Sequence, residues 1–231
     1  MSVAAEAQPA RRRNPRGQGA RLRDEIVEVA ADMIEESGDS GQLTLRGVAK
    51  RVGIAAPSIY RHFATIEHLK LAVVDQTFAV FAQSRDAQRR NLDDPVEALL
   101  AGCRTYCQFA VEHPGPYRFM FSHDSPADGR ASPAGLAAFS TLTQSIRRCQ
   151  EVGRATTTDD PSALAAQVWA ALHGLALLRI NAPNFQWPAS LGDMATVAVR
   201  RLVGLQPARG AEAPTNKRGR GRPRNQTKEK S

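Results

Sequence analysis

From residue 21 onward apolar positions recur every three or four residues: Leu22, Ile26, Val29, Ala30, Met33 and Ile34 mark one face. Asp24, Glu25, Glu28, Asp32 and Glu35 fill the other, and Gly38 closes the segment. That spacing predicts an amphipathic helix. Next, Thr44 stands where it would N-cap a short helix carrying Leu45, Val48 and Ala49. Val52-Gly53-Ile54 interrupts the pattern, and a second short helix from about Ala56 to Phe63 carries Ile59, Tyr60 and Phe63. Two such short helices bury little by themselves, so they need the helix over 21–37 as a third partner.

A longer helix begins near Ile66 with Leu69, Val73, Phe78 and Phe81 and reaches a charged stretch at 84–94. Pro95 suits the first position of the next, whose apolar residues Leu99, Leu100, Cys103, Tyr106, Cys107 and Ala110 lead to a stop at His113-Pro114-Gly115-Pro116. The segment 122–133 reads as a loop, and helices fit 134–152, 161–181 and 190–204. No segment alternates as a strand does. The fold class is therefore all-α with about nine helices: a basic arm over 1–20, a three-helix unit over 21–75, a helical second domain over 76–205 and a basic tail over 206–231, both ends being disordered by composition.

Charge sharpens the picture. The formal net charge is +8, yet residues 1–23 hold six Arg against one Glu and residues 206–231 hold eight Lys or Arg against two Glu. The remaining 17 basic and 20 acidic residues leave the body slightly negative. Basic ends on such a body point to a polyanion, with double-stranded DNA first. The three cysteines show no CxxC or His pairing, so no disulfide framework, metal site or cofactor is indicated. The five histidines form no HExxH, and GxSxG, P-loop and dinucleotide signatures are absent, so no catalytic residue is assigned. No apolar leader or unbroken 18-residue apolar stretch is present, so a cytoplasmic, nucleoid-associated protein without a membrane partner is expected.

Residues 44–63 have the grammar of a helix-turn-helix, with Ala49 small at the crossing and Gly53 in the turn. "TLRGVAKRVGIAAPSIYRHFATIEHL" resembles the DNA-binding domain of the TetR family of bacterial transcriptional regulators, carried by Thr44, Ala49, Gly53, Tyr60, His62, Phe63 and Leu69. The resemblance implies backbone phosphate contacts from Thr44, Tyr60 and His62, with Arg46 beside them, and places Ala56, Pro57 and Ser58 at the bases. It departs from the family at Ile66, where Lys is usual. Ser58 is nearly the only hydrogen-bonding side chain on the recognition helix, so affinity must come in part from elsewhere. In the tail, Arg220-Gly221-Arg222-Pro223, flanked by Arg218 and Arg224, resembles the core of an AT-hook; an extended Arg-Gly-Arg fits a narrow minor groove.

The second half, with "YCQFAVEHPGPYRFMF" and Trp169, His173 and Gly174, resembles the ligand-binding domain of a TetR subgroup. That implies a homodimer paired through its last two helices, where Ala171, Gly174, Leu175, Leu178, Val199 and Leu202 are the expected interface. It also implies a pocket, for which Cys103, Tyr106, Cys107, Phe119, Met120, Phe139, Trp169 and His173 are the candidates. None of these carries a fixed charge, so a small apolar effector is expected. The reading is a repressor released from a palindromic operator; a ligand-independent dimeric regulator and an architectural protein acting through its tails are the alternatives.

Overall fold

The structure, a computed structural model, describes residues 19–37, 43–122 and 132–206. Among these residues it is all helical: α1 (Gly19–Ser37), α2 (Leu45–Val52), α3 (Ala56–Tyr60), α4 (Ile66–Arg89), α5 (Pro95–Glu112), α6 (Pro114–Met120), α7 (Pro133–Glu151), α8 (Pro161–Asn181) and α9 (Leu191–Val203). Gly38 and the tail arginines lie outside the described residues.

Side-chain caps fix where helices begin. Thr44, Asp94, Ser132, Asp160 and Ser190 each accept a hydrogen bond from a backbone N–H of the first turn. Pro occupies the first turn of α3, α5, α6, α7 and α8, where its missing N–H costs nothing.

Three boundaries differ from the sequence reading. The recognition helix stops at Tyr60 instead of Phe63, although the N–H of Phe63 still bonds the Ile59 carbonyl at 2.9 Å while its ring enters the core. α4 continues through the charged stretch to Arg89, because Phe81, Arg85 and Arg89 keep one row at four-residue spacing while Gln83, Ser84 and Gln88 face outward. The prolines after His113 end α5 as expected and also start α6, so His113 caps both helices.

Two main apolar clusters result. The first gathers Ile26, Ile34, Val48, Ile59, Phe63, Leu69 and Val73 from α1 to α4 and takes in Phe119 and Met120 of α6. The second joins α5, α7, α8 and α9 through Leu100, Cys107, Ile146, Leu164, Val168, Leu172 and Val199. The expected domain boundary after residue 75 falls inside α4. Its first half belongs to the first cluster; its second half faces the other domain.

Candidate DNA-binding surface and ligand cavity

Thr44 is extended, with φ −128° and ψ 147°, and its Oγ1 accepts from the N–H of Gly47 at 3.0 Å. At the other end of α2, Gly53 sits in the left-handed region at φ 76°, which a side chain enters only at a cost. The turn is short enough that the N–H of Ile54 bonds the Ala49 carbonyl at 3.0 Å, and Ala49 is buried there. An ion pair between Arg51 and Glu36 ties α2 to the end of α1. α3 is thereby set against α2, with Ile59 its buried anchor in the first cluster.

Each of the seven residues expected at DNA reaches the surface: Thr44, Arg46, Pro57 and Tyr60 are exposed, and Ala56, Ser58 and His62 partly so. The sequence reading overlooked Arg61. Its Nη2 donates to Ser58 Oγ at 3.2 Å, so it adds a cation with several donors beside the one hydroxyl of α3. The three-residue spacing from Ser58 to Arg61 was the available signal. Ile66, where Lys was absent, packs partly buried against the first cluster.

Between α4, α5, α6, α7 and α8 lies a cavity of about 670 Å³. That is the size of a small-molecule site. Cys103, Tyr106, Met120, Phe139 and Trp169 line it. Cys107, Phe119 and His173 do not, which corrects the expected set: Cys107 is about 40° further round α5 and packs in the second cluster, and Phe119 turns into the first. The expectation of an uncharged wall is also corrected. Arg85 and Arg89 of α4 stand in it, with Thr141 and Ser145 of α7.

His173 belongs instead to a polar network behind the wall. Trp169 Nε1 donates to the Tyr106 hydroxyl at 3.2 Å, the Tyr106 and Tyr117 hydroxyls are 2.8 Å apart, and Tyr117 is 2.8 Å from His173 Nδ1. Burial pushes the Tyr106 phenol up to about 12, pushes Tyr117 higher still, and lowers His173. All four groups are therefore neutral near pH 7. Either hydroxyl can donate between Tyr106 and Tyr117, and where Tyr117 donates to His173 Nδ1 the imidazole proton sits on Nε2. Two members of the network line the cavity, and Tyr117 sits on α6.

α6 in turn touches the first domain, where the N–H of Gly115 donates to Glu35 Oε2 at 2.8 Å. The sequence marks Gly115 only as part of a helix stop and does not mark Tyr117, since nothing local announces contacts with residues as far off as Glu35 and His173.

On the expected pairing face, Leu178 is 58% exposed, and Ala171, Gly174, Leu175 and Leu202 are partly so. Val199 is wholly buried in the second cluster and has no surface to offer a partner, a correction that follows from α9 lying against α5 and α8; Val197, two residues earlier, is exposed. α8 is long and apolar enough by composition to cross a membrane, yet only 28% of its most apolar stretch is buried in this chain.

Two family descriptions match the chain: "Bacterial regulatory proteins, tetR family" over residues 26–73 and "Tetracyclin repressor-like, C-terminal domain" over 99–202. Among solved structures, a protein of unknown function from Rhodococcus sp. RHA1 superposes with a TM-score of 0.70 at 23% identity, covering 84% of this chain and 99% of that one. RolR in complex with resorcinol matches at 0.61 and 19%, covering 82% and 90%. The SmeT–triclosan complex matches at 0.62 and 17%, covering 81% and 93%. At these identities the likeness is one of fold.

Proposed function

The chain belongs to the TetR family of bacterial transcriptional regulators, DNA-binding proteins and not enzymes, and from that premise we propose that it is a homodimeric, cytoplasmic repressor that leaves a palindromic operator when a small molecule fills the cavity. The observation that carries the reading is the Thr44-capped α2, the left-handed Gly53 turn and the exposed start of α3. In this arrangement α3 lies in the major groove, Ala56, Pro57 and Ser58 meet base edges, and Thr44, Arg46, Tyr60, Arg61 and His62 hold phosphates.

Pairing rests on α8 and α9. A helix apolar on all sides is stable in water only when something covers each side. A second copy laid along Ala171, Gly174 and Leu178 would do so, and a Cβ on Gly174 would meet nothing within 4 Å, so the two helices can approach closely there.

Release follows as a shift of population. A ligand that binds one arrangement of α4 and α6 more tightly lowers operator affinity by that difference. The resorcinol and triclosan bound by RolR and SmeT support a small-molecule effector for this fold. The tail, with Arg218, Arg220, Gly221, Arg222, Pro223 and Arg224, would add minor-groove contacts beside the operator.

Selection of sites from random DNA by the full chain and by a version ending at Leu205 tests the reading. A palindrome shared by both, with A·T-rich flanks lost and binding weakened in the shorter chain, supports it. Enrichment of A·T content alone by the full chain, and of nothing by the shorter one, overturns it.

A further inference from the structure

The cavity wall is largely carbon, yet two guanidinium groups enter it from one side. Arg85 is satisfied: it pairs with Asp86 at 2.9 Å and lies over the Phe81 ring, 5.8 Å from its centre. Arg89 is not. Its hydrogen bond goes to Ser145 Oγ at 3.3 Å, and no carboxylate lies within ion-pair distance of it among the described residues. A guanidinium offers five donors. Burial, and then the neighbouring Arg85 charge, pull Arg89 below the usual arginine value, with Asp86 acting in the other direction.

Both arginine stems pass over Gly102 on α5, where a Cβ would stand in ordinary contact, 3.6 Å from Arg85 Cγ and 3.8 Å from Arg89 Cδ. Arg89 and Ser145 also border a second, polar cleft of about 330 Å³ with Asp86, Arg90, Asp93 and Arg148. Three arginines there face two aspartates, one of them already paired with Arg85. The charged part of the cavity thus meets a net positive cleft, while Phe139, Leu142 and Trp169 supply apolar wall.

We infer that the cavity takes an anionic amphiphile, a carboxylate on an aromatic or aliphatic body, with the carboxylate on Arg89 and Ser145 and the body against Phe139, Leu142 and Trp169. This rests on the cavity being the effector site. A neutral ligand would leave Arg89 buried deeper and still unpaired; a carboxylate supplies the missing acceptors. Arg89 closes the C-terminal end of the helix whose first half packs against α1, so a head group held there acts on the element shared by both domains.

The test uses the full chain carrying Trp187→Phe, which leaves Trp169 as its one tryptophan. The probes are 4-phenylbutanoate and 8-phenyloctanoate with their primary amides, titrated by Trp169 fluorescence and by calorimetry. An acid is expected to bind about tenfold or more tighter than its amide, as a charged hydrogen bond would give. R89Q is expected to erase that preference and R89K to keep most of it. Amides binding as tightly as the acids, no binding by either acid, or an undiminished preference in R89Q would each overturn the inference. Anisotropy on the selected palindrome separates the two readings. Acids that bind preferentially without releasing DNA count against the effector reading alone; amides that bind equally and release DNA count against this one alone.

Discussion

The N–H of Gly115 donates to Glu35 Oε2 at 2.8 Å, joining the second domain to the first helix of the DNA-binding domain across eighty residues of sequence. A Cβ on Gly115 would stand 2.6 Å from the Glu35 Cα, and backbone cannot yield as a side-chain tip can. Gly115→Ala should therefore push α6 off α1 and lower stability by about 1–3 kcal/mol. Gly102→Ala is the contrast: its Cβ would meet ordinary contacts, so helix propensity should raise stability by up to about 1 kcal/mol. Urea unfolding of the two variants checks the opposite signs, and operator anisotropy should show the first also altering DNA affinity.

Local chemistry announced most of this molecule before its coordinates did. Thr44, Gly53 and Pro95 act on their own neighbours, so those helix starts and the turn could be read directly. The cavity was half legible. Cys103, Tyr106 and Trp169 share faces that periodicity exposes, whereas Phe119 and His173 are separated from them by how α6 and α8 rotate against α5, and Cys107 by its place further round α5. Arg85 and Arg89 read as the solvated end of a helix, because a charged run usually is one. Only the packing of α5 and α7 against α4 turns them inward.

The start of α2 rests on one hydroxyl. Thr44→Ala removes the acceptor for the Gly47 N–H and should cost about 1 kcal/mol, while Thr44→Ser keeps it. Gly53→Ala must hold a Cβ at φ 76° and should cost about 1–2 kcal/mol. Thermal unfolding followed by circular dichroism gives the stability order, with the Thr44→Ser variant nearest the parent. Operator titration should follow the same order, since the turn sets where α3 points.

Alkaline pH should destabilise the fold before it denatures by general charge repulsion. Burial pushes Cys103 and Cys107 up to about 12 and Cys149 to about 11, against an ordinary thiol value of 9.0. Above pH 9 the unfolded chain has released protons that the folded chain still holds, so stability falls as pH rises toward 11–12, and it is fully present below pH 9. Urea midpoints should drop between pH 8 and pH 10.5, and less so when the three cysteines are replaced by Ala or Val. At pH 8 the native protein should leave a thiol reagent unreacted, and three thiols should appear in denaturant.

Leu178 and Val199 were expected on one interface, and the structure places them on opposite sides of the same pair of helices. Leu178 is 58% exposed near the end of α8, while Val199 is sealed between α9 and the second cluster. A charge has different consequences at each. Leu178→Arg costs the isolated subunit little, because its side chain reaches water, but in a dimer it would bury an unpaired guanidinium at the seam. Val199→Arg buries that charge within the subunit and should cost more than about 4 kcal/mol, the range seen when a core position takes an unpaired charge. Sedimentation velocity should find the first variant folded and monomeric, with operator affinity reduced because only one recognition helix binds at a time. The second should lose its cooperative unfolding transition. If Leu178→Arg instead sediments as the parent does, the exposed face of α8 is not the seam, and pairing must use another surface.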